Sequence, residues 1–275
     1  REHGYSTAHI GKSHYYAYFD LQRYGCDHMR GMENYMRGLG FDHVHEVAGY
    51  WGSGAWFDVA PADSYVTDLW KEKGYLDAYR KDYQRRLNEP FYKVFPSAVP
   101  QEDYLDAYLG RKACEFIEDY DSDKPACLHV SFPGPHLPFD APGEYATMYD
   151  PQSVPPPVPA AEGNDWVPDY ASKTMKALED YNHNRFCTPA PGEDDVRRMK
   201  ANYYGEITLI DDWIGRILQA CRDKGWSENM LVIFWADHGD MMGDHNQIEK
   251  FSFFENSARV PLIMSWPGVI SPGAV

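Results

Sequence analysis

The sequence has few cysteines and no grouping of them. Only five of the 275 residues are cysteine, and none of them forms a C-x-x-C pair. An odd number of scattered cysteines argues against a disulfide framework and against a cysteine zinc site. The cysteines therefore do not indicate whether the protein resides in an oxidising or a reducing cellular compartment. The five are Cys26, Cys114, Cys127, Cys187 and Cys221.

Long hydrophobic runs and basic clusters are missing as well. No stretch reaches the roughly 18 apolar residues that a membrane span needs, and the first residues do not resemble a signal peptide. The net charge is −16 without a cluster of lysine and arginine, so nucleic acid is not an expected partner. An anionic small molecule is still possible, because a few cations in a cleft determine the local potential.

The patterns that are present predict alternating helices and strands. With 43% hydrophobic and 15% aromatic residues, the chain can bury one large core. Apolar residues at helical spacing and short apolar runs indicate a layered α/β domain. The region 15–100 predicts loops and short helices, and the proline-rich residues 151–168 predict an extended surface loop. The predicted helices are 103–119 and 194–223, and the predicted strands are 5–10, 127–132, 231–236 and 260–264.

The most informative stretch follows the apolar run 231–234, which predicts a buried strand. Asp237 and His238 come directly after it and offer an oxygen and a nitrogen ligand. In open α/β sheets, the ends of strands are where ligands bind. The alternative is a polar loop that merely follows a core strand.

Three other segments place charged or imidazole side chains beside predicted elements. Lys12 and His14 follow the first strand and project to the same side. His136 lies between prolines after the strand 127–132, and Lys250 follows a glycine-containing loop. Taken singly, Lys12 is most simply a surface lysine, and His14 or His136 a structural histidine.

Together these motifs resemble the sulfatase family of the alkaline-phosphatase superfamily. Residues 4–14 are similar to its G-Y-x-T-x-x-I-G-K-W-H motif, with Ser13 where tryptophan is usual. Residues 131–139 resemble the segment that carries its substrate histidine, and 236–268 follow the family closely. The resemblance implies an α/β/α domain with a central mixed, largely parallel sheet, and a single catalytic domain over residues 1–275.

The resemblance also implies a mechanism for cleaving a sulfate ester of a small molecule or saccharide. Asp237 and His238 match two ligands of one divalent cation, expected to be calcium, with magnesium or manganese as alternatives. Lys12 and Lys250 would bind the non-bridging oxygens of the substrate. His136 would lie near the leaving-group oxygen as a hydrogen-bond donor or general acid. His14 would contact the nucleophile and take its proton.

One family motif is missing from these residues. The nucleophile of the family is a formylglycine made from C/S-x-P-x-R, and no such motif occurs in the sequence. The look-alike at 187–191 lacks the arginine and lies downstream of Lys12. The expectation is therefore a sulfatase fragment, without the nucleophile segment or the C-terminal subdomain and inactive as written.

Two alternatives to a sulfatase stay open at this point. One is a phosphonate or phosphate ester hydrolase of the same superfamily, since related enzymes share the scaffold and favour Asp-His at the metal. The other is a shortened, non-catalytic binding module. The sequence predicts neither the particular ester nor the oligomeric state nor the localisation.

Overall fold

The structure is a computed structural model, which describes residues 2–16, 21–50, 64–159, 191–250 and 252–273. Cys187 and most of the motif look-alike at 187–191 lie outside the described residues, as do residues 160–168 of the proline-rich segment. The other four cysteines are free thiols.

A parallel three-stranded sheet forms the centre of the described structure. Its middle strand, β1 (Ser6–Gly11), pairs with β2 (His43–Glu46) on one side and β3 (Ala126–Ser131) on the other. In this register His9 lies beside Val44 of β2 and His129 of β3. The strands predicted over 5–10 and 127–132 are thus confirmed, whereas β2 falls in a region where loops and short helices were expected.

Helices cover both faces of this sheet. Ile10 packs into the larger apolar cluster with Leu105 and Leu109, and Val44 packs on the opposite face with Met36. This arrangement follows from strand geometry, because successive side chains point to opposite faces. Among the described residues, the helices of eight or more residues are α2 (Tyr65–Glu72), α3 (Leu76–Arg86), α4 (Leu105–Glu118) and α5 (Glu193–Asp223); α1 is Glu33–Gly38 and α6 is Glu255–Ala258.

The two long helices, α4 and α5, lie against each other, and their bounds confirm the helices predicted over 103–119 and 194–223. A side chain at Gly110 of α4 would collide with the indole of Trp213 on α5, so the helices are in close contact there. Apolar residues at spacings of three and four make this contact continuous. Among the described residues, no helix is long and apolar enough to cross a membrane.

The remaining two strands form a separate antiparallel ribbon. β4 (Val232–Trp235) pairs with β5 (Leu262–Ser265). The strand predicted over 231–236 is confirmed by β4, but the prediction that the run 231–234 is buried is wrong: Phe234 is 40% exposed, and Leu262 on the paired strand 66%. The cause is that, within the described residues, β4 pairs only with β5 and little packs over either strand.

An aromatic contact joins the two sheets. The rings of His129 on β3 and Trp235 on β4 are parallel, with centroids 5.7 Å apart. The α/β class is confirmed, with a parallel sheet at its centre and the antiparallel ribbon beside it. The ends of β1, β3 and β4 each lead into one of the segments with candidate site residues.

Candidate active site

The first site segment begins where β1 ends. Gly11 has a φ of +130°, and a Cβ there would lie 2.0 Å from the Ser131 carbonyl oxygen. Because only glycine tolerates that approach, β1 can stay close to β3 up to its last residue. Lys12 continues the ladder by donating its backbone N–H to the same oxygen, at 3.1 Å.

Lys12 and His14 then enter a positively charged environment. Burial, and next the charge of Lys250, lower the pKa of Lys12 to about 8. Burial followed by the charges of Lys12 and Lys250 also lowers the pKa of His14. At neutral pH, His14 is therefore mainly neutral and able to accept a proton.

The second segment follows β3 and carries His136. Its backbone is held at Gly134, whose N–H donates to Asp106 Oδ1 at 3.0 Å. His136 Nδ1 lies 2.7 Å from the Leu137 carbonyl oxygen, so Nδ1 carries a proton and Nε2 has the free lone pair. Burial, together with Lys12 and Lys250, keeps the pKa of His136 well below its ordinary value.

The third segment follows β4 and contains Asp237 and His238. The Asp237 side chain is 73% exposed, and its Oδ1 accepts the His238 backbone N–H at 3.0 Å. His238 Nδ1 lies 2.7 Å from the Gly239 carbonyl, which leaves the lone pair on Nε2. Nε2 is 3.5 Å from Asp237 Oδ2, so both ligand atoms lie side by side.

The loop from Asp240 to Lys250 is held by carboxylates. Asp240 Oδ1 accepts the backbone N–H groups of Met242 and Glu249, at 2.9 and 3.1 Å. Burial raises the pKa of both Asp240 and Glu249. The loop ends at Lys250, whose Nζ lies 2.9 Å from His238 Nε2. Asp240 thus shapes the loop.

These contacts and charges place all six predicted residues in one neighbourhood. Lys12 is influenced by Lys250 and Asp237, and His136 by Lys12, Lys250 and His238. His14 is influenced by Lys12, Lys250 and Asp237. Three chain segments far apart in sequence therefore meet at one site, which combines two lysines with three imidazoles.

Asp237 and His238 fit a divalent cation as two ligands of a larger shell. Asp237 Oδ2 and His238 Nε2 are 3.5 Å apart, close enough for both atoms to contact one ion at ordinary metal–ligand distances of about 2.0–2.6 Å once Lys250 Nζ has moved away from Nε2. Among the described residues, no group of three or more histidine, cysteine or carboxylate side chains is placed to hold a metal. A complete shell needs further ligands.

The sequence pattern does not reveal several residues at this site. Asp106 lies among apolar positions of α4, and burial raises its pKa to about 6. The sequence feature that could have identified Asp106 is its position as a carboxylate on the apolar face of a predicted helix. Glu249 stands next to Lys250 and is 6% exposed, but adjacency in sequence does not indicate burial. Glu46 and Gly49 carry no signal at all.

Comparison with known proteins identifies the family of this chain. The sulfatase family model matches residues 1–275. The chain belongs to the sulfatase family. It is 30% identical to an arylsulfatase of Clostridium perfringens, over 98% of this chain and 51% of the relative.

Two further known proteins are similar to this chain. The chain is 32% identical to the multifunctional alkaline phosphatase superfamily protein PehA of Trinickia caryophylli, over 63% of this chain and 34% of that protein. The phosphonate monoester hydrolase SpPMH of Silicibacter pomeroyi has the same fold, with a TM-score of 0.66 at 23% identity, over 98% of this sulfatase-family chain and 51% of that one. The chain spans about half of the length of the arylsulfatase, and less of PehA.

Proposed function

We propose that the protein to which these residues belong hydrolyses sulfate esters, and that this chain binds the sulfate group. The observation that carries the proposal is the pair Lys12 and Lys250. Each is a cation, and the charge of Lys250 helps to lower the pKa of Lys12 to about 8. Like charges held together in a buried site favour an anion between them.

The imidazoles fit two proton transfers. His136 Nδ1 donates to Leu137, so Nε2 is the nitrogen left for a leaving-group oxygen. An anionic ester beside His136 would offset the charges of Lys12 and Lys250, raise the pKa of His136 and allow Nε2 to carry a proton. His14 is mainly neutral, and is suited to take a proton from the nucleophile.

Asp237 and His238 would hold the cation, for which calcium is our first choice. When bound, such an ion polarises the sulfate oxygens as a Lewis acid. The nucleophile would be a formylglycine supplied from outside residues 1–275, in keeping with the family. The substrate class is a sulfate ester of a small molecule or a saccharide.

The deciding experiment uses the full-length protein, with the formylglycine verified by mass spectrometry and calcium added. We expect hydrolysis of an aryl sulfate, and a loss of about 100-fold or more in kcat/KM when Lys12 is replaced by methionine. Lys71→Met, at an exposed position, is the matched control. An aryl sulfate left intact by the verified protein would contradict the proposal.

Hydrolysis of phosphonate or phosphate esters is a second candidate. It is supported by the 32% identity to a protein described as multifunctional, and by the pairing of aspartate with histidine at 237–238. Comparing kcat/KM for an aryl sulfate and an aryl phosphonate monoester on one enzyme preparation separates the two. A higher value for the phosphonate would replace the sulfatase assignment by the second one.

A further inference from the structure

Glu46, the last residue of β2, is a buried carboxylate with no place in the mechanism above. It is 1% exposed. Its Oε1 accepts two hydrogen bonds from Ser13, one from the backbone N–H at 2.9 Å and one from the hydroxyl at 2.6 Å. Hydrogen bonds to a charged acceptor are about twice as strong as neutral ones. Because Ser13 lies between Lys12 and His14, these bonds hold the backbone that carries both.

The second oxygen of Glu46 is buried beside the adjacent strand and accepts no hydrogen bond there from the described part of the chain. Oε2 lies 3.2 Å from His9 Nε2, and His9 is fully buried. His9 Nε2 is also 3.2 Å from the Gly11 carbonyl. Since both neighbours are acceptors, Nε2 must carry the proton. His9 Nδ1 lies 3.0 Å from His129 Nδ1, so the chain of polar contacts crosses all three strands.

Three residues further on, the backbone after β2 contacts Lys12 directly. Gly49 has a φ of +71°, and a Cβ at this position would lie 2.8 Å from Lys12 Cδ and 3.3 Å from its Nζ. Val47 donates its backbone N–H to the Gly11 carbonyl at 3.0 Å, which keeps the two segments in register. A side chain at position 49 would therefore push the end of the Lys12 side chain aside.

We propose that the end of β2 positions the Lys12–His14 segment: Glu46 fixes its backbone through Ser13, and Gly49 fixes the course of the Lys12 side chain. Glu46, Ser13 and Gly49 are positioning residues, since they act through Lys12 and His14. The consequence for catalysis rests on the function proposed above, whereas the consequence for the backbone does not.

The effect of Glu46 on the backbone of residues 12–14 can be measured without an activity assay. In the full-length protein, we expect Glu46→Ala to increase amide hydrogen exchange in a peptide that covers 12–14 by about tenfold or more. Asp103→Ala is the matched control, because Asp103 is equally buried but pairs with Lys73 at 2.7 Å. Glu46→Gln, which keeps a hydrogen-bond acceptor, serves in place of the alanine variant if that one does not fold, and a smaller increase is expected.

The effect on catalysis is tested by comparing alanine variants of Gly49 and Gly25. We expect Gly49→Ala to lower kcat/KM for the aryl sulfate by about 10–100-fold, since a displacement near 1 Å has that effect on a positioned group. Gly25→Ala is the control: Gly25 has the same φ of +71°, but a Cβ there meets nothing within 4 Å. Both variants therefore carry the same backbone strain, and only one moves Lys12.

The outcomes separate the two proposals. If Glu46→Ala and Asp103→Ala leave exchange at 12–14 equally unchanged, or if Gly49→Ala and Gly25→Ala have equal kcat/KM, the positioning inference is wrong. If the unmodified protein hydrolyses no ester, the proposed function fails. In that case, amide hydrogen exchange at residues 12–14 still tests whether Glu46 holds this segment, because the measurement does not depend on activity.

Discussion

Lys250 donates a hydrogen bond from Nζ to Nε2 of His238, over 2.9 Å. The other ring nitrogen of His238 donates to the Gly239 carbonyl at 2.7 Å, which fixes the tautomer. The ammonium group thus contacts the nitrogen that a cation would need. The lysine proposed to bind substrate and the histidine proposed to bind a metal ion are therefore in direct contact.

The first prediction concerns cation binding. Lys250→Met removes a positive charge and a donor from His238 Nε2, so we expect the affinity for calcium or manganese to rise by about tenfold. Asp237→Asn should lower it. Titration calorimetry on the full-length protein measures both, with the exposed Lys71→Met as control. An unchanged affinity in Lys250→Met would show that the ammonium does not compete for His238.

The second prediction is the pH dependence of anion binding. Burial and Lys250 lower the pKa of Lys12 to about 8, so Lys12 is charged below that pH and neutral above it. Affinity for inorganic sulfate should therefore be fully present near pH 7 and fall by up to about tenfold for each pH unit above 8. In Lys12→Met, binding should be weaker and depend less on pH between 7 and 9. Calorimetric titrations at four pH values suffice; a wild-type affinity that does not change with pH would contradict the assignment.

A third prediction tests His136 as the proton donor to the leaving group. His136→Asn should lower kcat by about 10²–10⁴-fold for esters of weakly acidic alcohols. The loss should shrink for aryl sulfates whose phenols are strong acids, because such groups leave without a proton. The measurement is kcat/KM across a series of aryl sulfates, with His45→Asn as the control histidine. Equal losses across the series would assign His136 to substrate binding alone.

A fourth prediction follows from the buried carboxyl pair around Tyr104. The Tyr104 hydroxyl lies 2.9 Å from Asp140 Oδ1 and 3.0 Å from Glu206 Oε1, yet it has a single proton to donate. Burial and then Asp140 raise the pKa of Glu206 well above its ordinary value, so Glu206 is the protonated partner. For Asp140, burial raises the pKa to about 6.

The sign of the effect on stability follows from these directions. A carboxyl group with a raised pKa in the folded state stabilises the fold most at low pH and loses that contribution as the pH rises. We expect the thermal midpoint to fall between pH 5 and 8, by roughly 2–4 °C for each kcal/mol lost. Glu206→Gln should weaken this dependence, whereas Glu72→Gln, at an exposed position, should preserve it.

The parts of the site that the sequence predicts share one property. Lys12, His136 and Asp237 each stand a few residues after a recognisable apolar strand, and the ends of β1, β3 and β4 do meet. Local pattern suffices for Lys12 and His136, because the parallel strands β1 and β3 bring their carboxyl ends to one edge of a sheet. Asp237 follows the separate ribbon, which the ring contact between Trp235 and His129 places beside that sheet. The long helices were predictable for a similar reason, since apolar spacing persists over many turns.

Other parts depend on contacts that no local pattern contains. β2 has the sequence His-Val-His-Glu, without an apolar run, and only its register beside β1 makes it a strand. The proposed role of Glu46 depends on its hydrogen bonds with Ser13, which lies 33 residues away in the sequence. The exposure of β4 could not be predicted either. An apolar run shows that a strand can be buried, but it does not show whether another part of the chain packs over it.

The β4–β5 ribbon has a practical consequence for anyone handling these residues. Ile263 is 60% exposed and Trp235 51%, so several large apolar side chains face solvent on neighbouring strands. Surfaces of this kind bind fluorescent apolar dyes and promote self-association. A preparation of residues 1–275 should therefore scatter light increasingly with concentration.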